Sequence, residues 1–357
     1  MKFPSARIDG DALRHNLAVV RRFAPGSRVL AVIKANAYGH GLIPVARTLQ
    51  GADALGVARL EEGVTLREAG IESNIVLLEG IFSGEQLTLA QRHRFELVVH
   101  SAEQIAILEN HAAAASFTVW LKLDTGMNRL GVRVQDVAAA LSRLRGCRVV
   151  TRLRLMTHLA VAEEETNAAT RQQIAAFASA TDGIVAERSI ANSAGLILWP
   201  QARTDWVRPG LMLYGISPIA GREAAALGLR PAMTLTTQLI AMRRVPAGET
   251  VGYGGIWRAS RDSTIGIAAI GYGDGYPRRM RGGTPVLVEG HVVPVVGRVS
   301  MDMTAVDLTD HPTARVGNAV TLWGEGLPAE CVAPYADTIP YELVCGVSQR
   351  VALDWRF

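Results

Sequence analysis

Eight short runs of Val, Ile and Leu, each followed by a segment able to form a helix, recur through the first two-thirds of the chain. They span residues 29–33, 54–57, 75–78, 97–99, 117–123, 149–156, 188–191 and 206–208. Short apolar runs alternating with helical segments are the pattern of parallel strands joined by helical crossovers. Eight such units predict a (β/α)8 barrel. The stretches 60–69, 84–91, 102–110 and 164–178 are rich in Ala, Leu, Glu, Gln and Arg, all good helix formers. One barrel takes roughly 200 to 250 residues, so a chain of 357 has room for a second domain. From Leu229 the texture turns to Thr, Val and Gly with Pro-containing turns, in 233–240, 264–269, 285–288 and 292–296, which predicts a mostly-β domain. The expected division is a barrel over 1–228 and a β domain over 229–357, with the boundary inside 219–230.

Other features narrow the class of function. No apolar stretch approaches membrane-spanning length. The N-terminal segment through Arg7 has one early positive charge and no apolar core behind it, so it does not read as a secretory signal, and cytoplasmic residence is the expectation. Cys147, Cys331 and Cys345 are an odd set without a CxxC pair. That argues against a disulfide framework and a cysteine zinc site; they are expected to be reduced packing residues, with no metal bound. A net charge of +4 with scattered arginines makes a nucleic-acid partner unexpected.

The basic residues are nearly all arginine, and the only lysines are Lys2, Lys34 and Lys122. A guanidinium stays protonated, whereas a lysine amine can lose its proton and form an imine. The two internal lysines are either chance survivors of arginine usage or kept for chemistry. Barrel enzymes carry reactive groups at the C-terminal ends of strands. There this chain offers Lys34 after the first strand, Lys122 with Asp124 to Arg129 on the fifth, and His158 after the sixth. Asn192-Ser193 follow the seventh, and Arg208-Pro209-Gly210-Leu211 the eighth. Phosphate sites in barrels are often built by the loops after strands seven and eight. Taken singly, Asn192-Ser193 is equally a helix cap and Gly210 a turn residue; their pairing at the two expected loops favours phosphate. A reactive strand-end lysine facing a phosphate anchor is what pyridoxal 5'-phosphate requires.

The run Ala31-Val32-Ile33-Lys34-Ala35-Asn36-Ala37-Tyr38-Gly39-His40-Gly41 resembles the pyridoxal-phosphate attachment motif of bacterial alanine racemases. Similarity continues through Asp124-Thr125-Gly126-Met127-Asn128-Arg129-Leu130-Gly131, Asn192-Ser193, Arg208-Pro209-Gly210 and Gly252-Tyr253-Gly254. Further on it takes in Gly271 to Arg278, Gly297 to Asp302 and Tyr341-Glu342, so it spans essentially the whole chain in family order. Gly273 departs from the Ala frequent there, and Asn128 stands at a variable place.

The resemblance implies an isomerase interconverting L- and D-alanine, as a head-to-tail homodimer whose sites are completed by the partner's β domain. Lys34 would be the imine-forming lysine and one acid/base, and Tyr253 of the partner subunit the other. Arg208 would hydrogen-bond the pyridine nitrogen, and His158 would support Tyr253. Arg129 with the Met301 backbone would hold the substrate carboxylate, and Tyr38, Ser193, Gly210, Leu211 and Tyr341 the phosphate. Tyr272, Arg278 and Arg298 resemble entryway residues. Lys122 resembles a lysine that some members carry as a carbamate; an unmodified lysine pairing with Asp124 fits the same residues. By themselves, Tyr253 also reads as a turn tyrosine and His158 as a core histidine. The same barrel serves amino-acid decarboxylases, D-amino-acid aldolases and pyridoxal-phosphate carriers; Tyr253 and the second β domain favour the racemase, with serine as a poor alternative substrate. The role is either D-alanine supply for peptidoglycan or alanine catabolism.

Overall fold

The computed structural model describes residues 3–111 and 115–357. Met1 and Lys2, which open the segment read for a secretory signal, lie outside the described residues. The chain forms two compact units. One comprises Leu17–Ala37 and Gly41–Leu213; the other comprises the N-terminal segment to Asn16, Tyr38–His40 and Tyr214–Phe357.

In the first unit the eight strands form within two residues of their expected ends: Arg28–Val32, Ala54–Val57, Ile75–Leu77, Glu96–Val99, Phe117–Asp124, Val150–Met156, Glu187–Ser189 and Trp206–Val207. Each pairs in parallel with the next in sequence. Trp206–Val207 then pairs with Arg28–Val32, so the barrel closes. A strand covered on both faces buries every residue, as Ala54–Val57 and Ile75–Leu77 do, which is why those two runs lack polar alternation. The helices Leu60–Glu68, Gly84–Arg92 and Ala102–Glu109 follow their strands. Ser83 and Ser101 cap two of them, their hydroxyls accepting from the Gln86 and Gln104 amides. The helix expected over 164–178 instead spans Ala168–Ala180. The Asn167 side chain accepts from the Ala169 amide and fixes the later start.

The second unit is built on one long strand, Met233–Val245. It pairs antiparallel with Ser5–Asp9, Ser263–Ala268 and Ala319–Trp323, and Ser5–Asp9 pairs in parallel with Ala352–Arg356. The strands at 263–268, 285–288 and 291–296 match the sequence reading, whereas Ser5–Asp9, Thr304–Asp307, Ala319–Trp323 and Ala352–Arg356 were not anticipated. No disulfide joins the cysteines, and only Cys147 is buried; Cys331 is half-buried and Cys345 exposed, so the expectation of packing residues holds for one of three.

The N-terminal ends of the barrel strands enclose an ionic cluster. Arg154, 3% exposed, donates through Nη1 to Glu96 Oε2 and through Nε to Glu187 Oε2, both at 2.6 Å. Its guanidinium lies 4.8 Å from the ring centroids of both Trp120 and Trp206. Burial raises the Glu187 pKa, but hydrogen bonds from Trp206, Arg28 and Arg154 outweigh it and bring the carboxyl to about 2. Arg154→Met removes the cation shared by Glu96 and Glu187, leaving Glu96 only its bond from Trp120 and Glu187 those from Arg28 and Trp206. Urea unfolding is expected to show a loss of about 3 kcal/mol or more; a wild-type midpoint would contradict it. Because Glu187 is depressed in the folded state, its stabilisation is complete above the ordinary range near 4.5 and is lost as pH falls toward about 2.

Candidate active site

Lys34 follows the first barrel strand and opens an unusual backbone segment. Ala35, Asn36, Ala37 and Tyr38 all have φ near +53 to +54, a left-handed turn. Each non-glycine residue there costs about 1–2 kcal/mol, so neighbouring groups must hold it. The Glu62 carboxylate does so on one side, accepting the Ala35 amide at 2.7 Å with one oxygen and the Ala58 amide at 2.8 Å with the other. Asn36 tolerates this conformation, and its side chain accepts the Leu42 amide at 2.8 Å. Lys34 itself is exposed, whereas the strand before it is buried.

The sixth and eighth strands bring His158 and Arg208 together. Arg208 is 5% exposed and donates to Ser189 Oγ at 2.6 Å and to the carbonyls of Thr157 and Ile190. Burial pulls its pKa down to about 10, which leaves it charged at neutrality. Its Nη2 lies 3.4 Å from His158 Nδ1. Burial, then the charges of Arg208, Lys122, Arg129 and Lys34, hold the His158 pKa well below its usual range. A neutral ring accepting at Nδ1 carries its proton on Nε2.

Burial, then Arg208, Arg129 and Lys34, also bring Lys122 down to about 8, against the weaker opposing pull of Asp124. Asp124 Oδ1 accepts the amides of Gly126 and Asn128, each at 3.0 Å, and so shapes the loop that presents the exposed Arg129. Among the described residues no ion pair within 4 Å joins Lys122 to Asp124. Four basic side chains facing one nearby carboxylate call for anionic ligands.

The loops after strands seven and eight are joined through one hydroxyl. Ser193 Oγ, buried, accepts the amides of Gly210 at 3.0 Å and Met212 at 3.3 Å. Asn192 caps the helix Ser193–Leu198 by accepting the Gly195 amide at 2.9 Å. Leu211 is fully buried.

The remaining expected residues belong to the second unit. Tyr38 stacks on Tyr214 at 4.7 Å and lies 5.9 Å from Tyr341; burial first, then Tyr341 and Cys345, push the Tyr38 hydroxyl far above its usual range. Tyr253 is 69% exposed. The turn before it packs on Gly297-Arg298, where a Cβ on Gly297 would stand 2.7 Å from the Val251 carbonyl. The Tyr272 amide donates to the Ser300 carbonyl at 3.0 Å. Tyr253, Arg298, Met301 and Tyr272 therefore share one edge of that unit, with Arg278 exposed beyond Tyr272. Glu62 went unread in the sequence. A Glu three residues into a helix is a known start signal, but its reach to Ala35 is tertiary.

Lysine, arginine and histidine side chains gathered at the C-terminal mouth stand where enzymes of the barrel class carry their reactive groups. The family model described as alanine racemase, N-terminal domain, matches residues 8–218, and that described as alanine racemase, C-terminal domain, matches residues 232–355. The alanine racemase of Aeromonas hydrophila is 51% identical over 356 residues, covering 99% of this chain and 100% of its own. The crystal structure of biosynthetic alanine racemase from Pseudomonas aeruginosa is similar at TM-score 0.97 and 45% identity, with 100% of each chain covered. That of alanine racemase from Acinetobacter baumannii gives 0.96 and 38%, again with full coverage. The chain belongs to the alanine racemase family.

If the left-handed turn carries real strain, Ala35→Gly should raise the thermal midpoint by the equivalent of about 1 kcal/mol and Ala35→Val should lower it at least as far. Three equal midpoints would show that the turn is unstrained.

Proposed function

We propose that this protein interconverts L-alanine and D-alanine, with pyridoxal 5'-phosphate held at Lys34. Family membership supports the reaction. The observation that carries the cofactor is the exposed lysine amine in a cationic barrel mouth, with Ser193 joining the two loops suited to a phosphate. The donor set fits the group: Lys34 would hold it covalently, Arg208 would face its ring nitrogen, and Tyr38, Ser193, Gly210, Leu211 and Tyr341 would take its phosphate. Asn192 supports Ser193 as the helix cap. When bound, the cofactor supplies the electron sink that makes the α-proton of an amino acid removable.

Inverting a stereocentre requires a proton to leave one face and another to arrive on the opposite face. We assign these faces to Lys34 Nζ and the hydroxyl of Tyr253 of the partner subunit. The exposure of Tyr253, with Tyr272 and Met301 exposed on the same edge, supports a head-to-tail homodimer. His158, with Nε2 protonated, is assigned to support that tyrosine. Arg129 and the Met301 amide would orient the substrate carboxylate, and Tyr272, Arg278 and Arg298 would line the entryway. Lys122, at about 8, keeps a neutral fraction near neutrality. A neutral amine can add carbon dioxide with loss of a proton, and the resulting carbamate would place an anion to brace Arg129.

A charged Arg208 gives up no proton to a ring nitrogen, which would leave that nitrogen unprotonated and restrain transamination. Cytoplasmic residence is part of this reading; among the described residues no helix is long and apolar enough to cross a membrane. The product would supply peptidoglycan or the reaction would serve alanine catabolism, and the likeness to the biosynthetic alanine racemase of Pseudomonas aeruginosa favours the first.

Lys34→Ala should abolish the visible cofactor band that borohydride otherwise fixes onto the chain, and with it alanine racemisation followed by circular dichroism. Tyr253→Phe should keep the band yet lose roughly 10²–10⁴-fold in rate. Wild-type turnover by Lys34→Ala, or failure of the chain to bind supplied pyridoxal phosphate, would overturn the reading. Arg208→Glu should raise transamination relative to racemisation; an unchanged ratio would remove Arg208 from that role.

A further inference from the structure

Arg350 lies outside every motif read from the sequence, yet it ties together two loops that carry proposed site residues. Its Nη2 donates to Asp302 Oδ1 at 2.6 Å, and its Nε lies 3.3 Å from Asp274 Oδ1. Asp274 is 2% exposed. Its Oδ2 accepts the Gly271 amide at 3.0 Å, while Oδ1 has no hydrogen bond. Among the described residues Arg350 is the only cation within 4 Å of that buried carboxylate. Ser348 fastens the same region, its hydroxyl donating to the Gly273 carbonyl and its amide to the Asp274 carbonyl, both at 3.0 Å.

The two loops touch backbone to backbone. Tyr272 and Gly273 donate their amides to the carbonyls of Ser300 and Met301 at 3.0 and 2.8 Å. A Cβ at Gly271 would stand 2.2 Å from the Ser300 carbonyl oxygen, and one at Gly273 would stand 2.4 Å from Arg350 Nη1. At 271, where the atoms met are backbone, only glycine permits this approach. In a trans peptide the C=O and N–H point in opposite directions. The bond from Tyr272 to the Ser300 carbonyl therefore aims the Met301 amide away from the 271–274 turn.

We infer that Arg350 is a positioning residue for the substrate carboxylate. By bridging Asp274 and Asp302 it locks the Tyr272 turn onto the Ser300–Asp302 loop and so sets the direction of the Met301 amide. This rests on the proposed role of Met301 in carboxylate binding. A loosened loop misplaces one donor to the carboxylate without touching the groups that move protons, so binding suffers before turnover.

The test uses Arg350→Gln and Arg350→Lys in the cofactor-loaded full-length protein. KM and kcat for L-alanine are measured, and propionate, a carboxylate without an amine, is titrated by calorimetry. Arg350→Gln should weaken propionate binding and raise KM roughly tenfold or more, with kcat within about threefold and the cofactor spectrum close to wild type, while the thermal midpoint falls because the buried Asp274 loses its cation. Arg350→Lys, able to reach one acid at a time, should recover part of the loss. Unchanged propionate affinity in Arg350→Gln would overturn the inference. So would a loss of kcat in step with binding and thermal midpoint, which marks a purely structural role. If the wild type binds propionate in an Arg350-dependent way but does not racemise alanine, the activity falls and the positioning role stands.

Discussion

A guanidinium buried at the C-terminal mouth of the barrel governs the chemistry of everything near it. Arg208 cannot shed its charge at neutral pH even with burial drawing it down to about 10, so each neighbour adjusts instead. His158, by its own burial first and by that charge second, is held neutral and accepts from it, and Lys122 is brought within reach of neutrality by the same two causes in the same order. Arg208 itself persists because carbonyls and the Ser189 hydroxyl ring it with acceptors. Crowded like charges in a low-dielectric mouth favour anionic ligands, a demand that the phosphate and carboxylate of the proposed function would answer.

Rigidity on either side of this mouth comes from different physics. At the opposite end of the strands, Arg154 satisfies two carboxylates and fills the space between two tryptophans, so the floor is a packed ionic plug whose role is stability. At the mouth, Lys34 is followed by a left-handed turn that is unfavourable in isolation and is held by Glu62 and the Asn36 side chain. The lysine itself is exposed at the end of an otherwise buried strand.

Much of the barrel was legible because strands buried on both faces are apolar, as 54–57 and 75–77 are throughout, and a short run followed by a helical segment recurs eight times. The second unit was legible only in part. Ser5–Asp9 and Ala352–Arg356 are short and pair with each other across almost the entire chain, and no local pattern marks such a partner. The strand-end residues Lys34, Arg129, His158 and Arg208 could be listed because barrel geometry sends strand ends to one face. Glu62 and Arg350 could not, since their work depends on which backbone amide or acid stands opposite them.

The sequence by itself determined the repeating strand-and-helix order, the change to β structure after the barrel, and the residue types available for chemistry, because periodicity and side-chain type are local properties. Tertiary structure alone decided the protonation of His158 and Lys122, the exposure of Lys34 and the bridging by Arg154 and Arg350. Those depend on distance and burial among residues far apart in the chain, and electrostatic energy in a protein is set by the surroundings of a charge rather than by its identity.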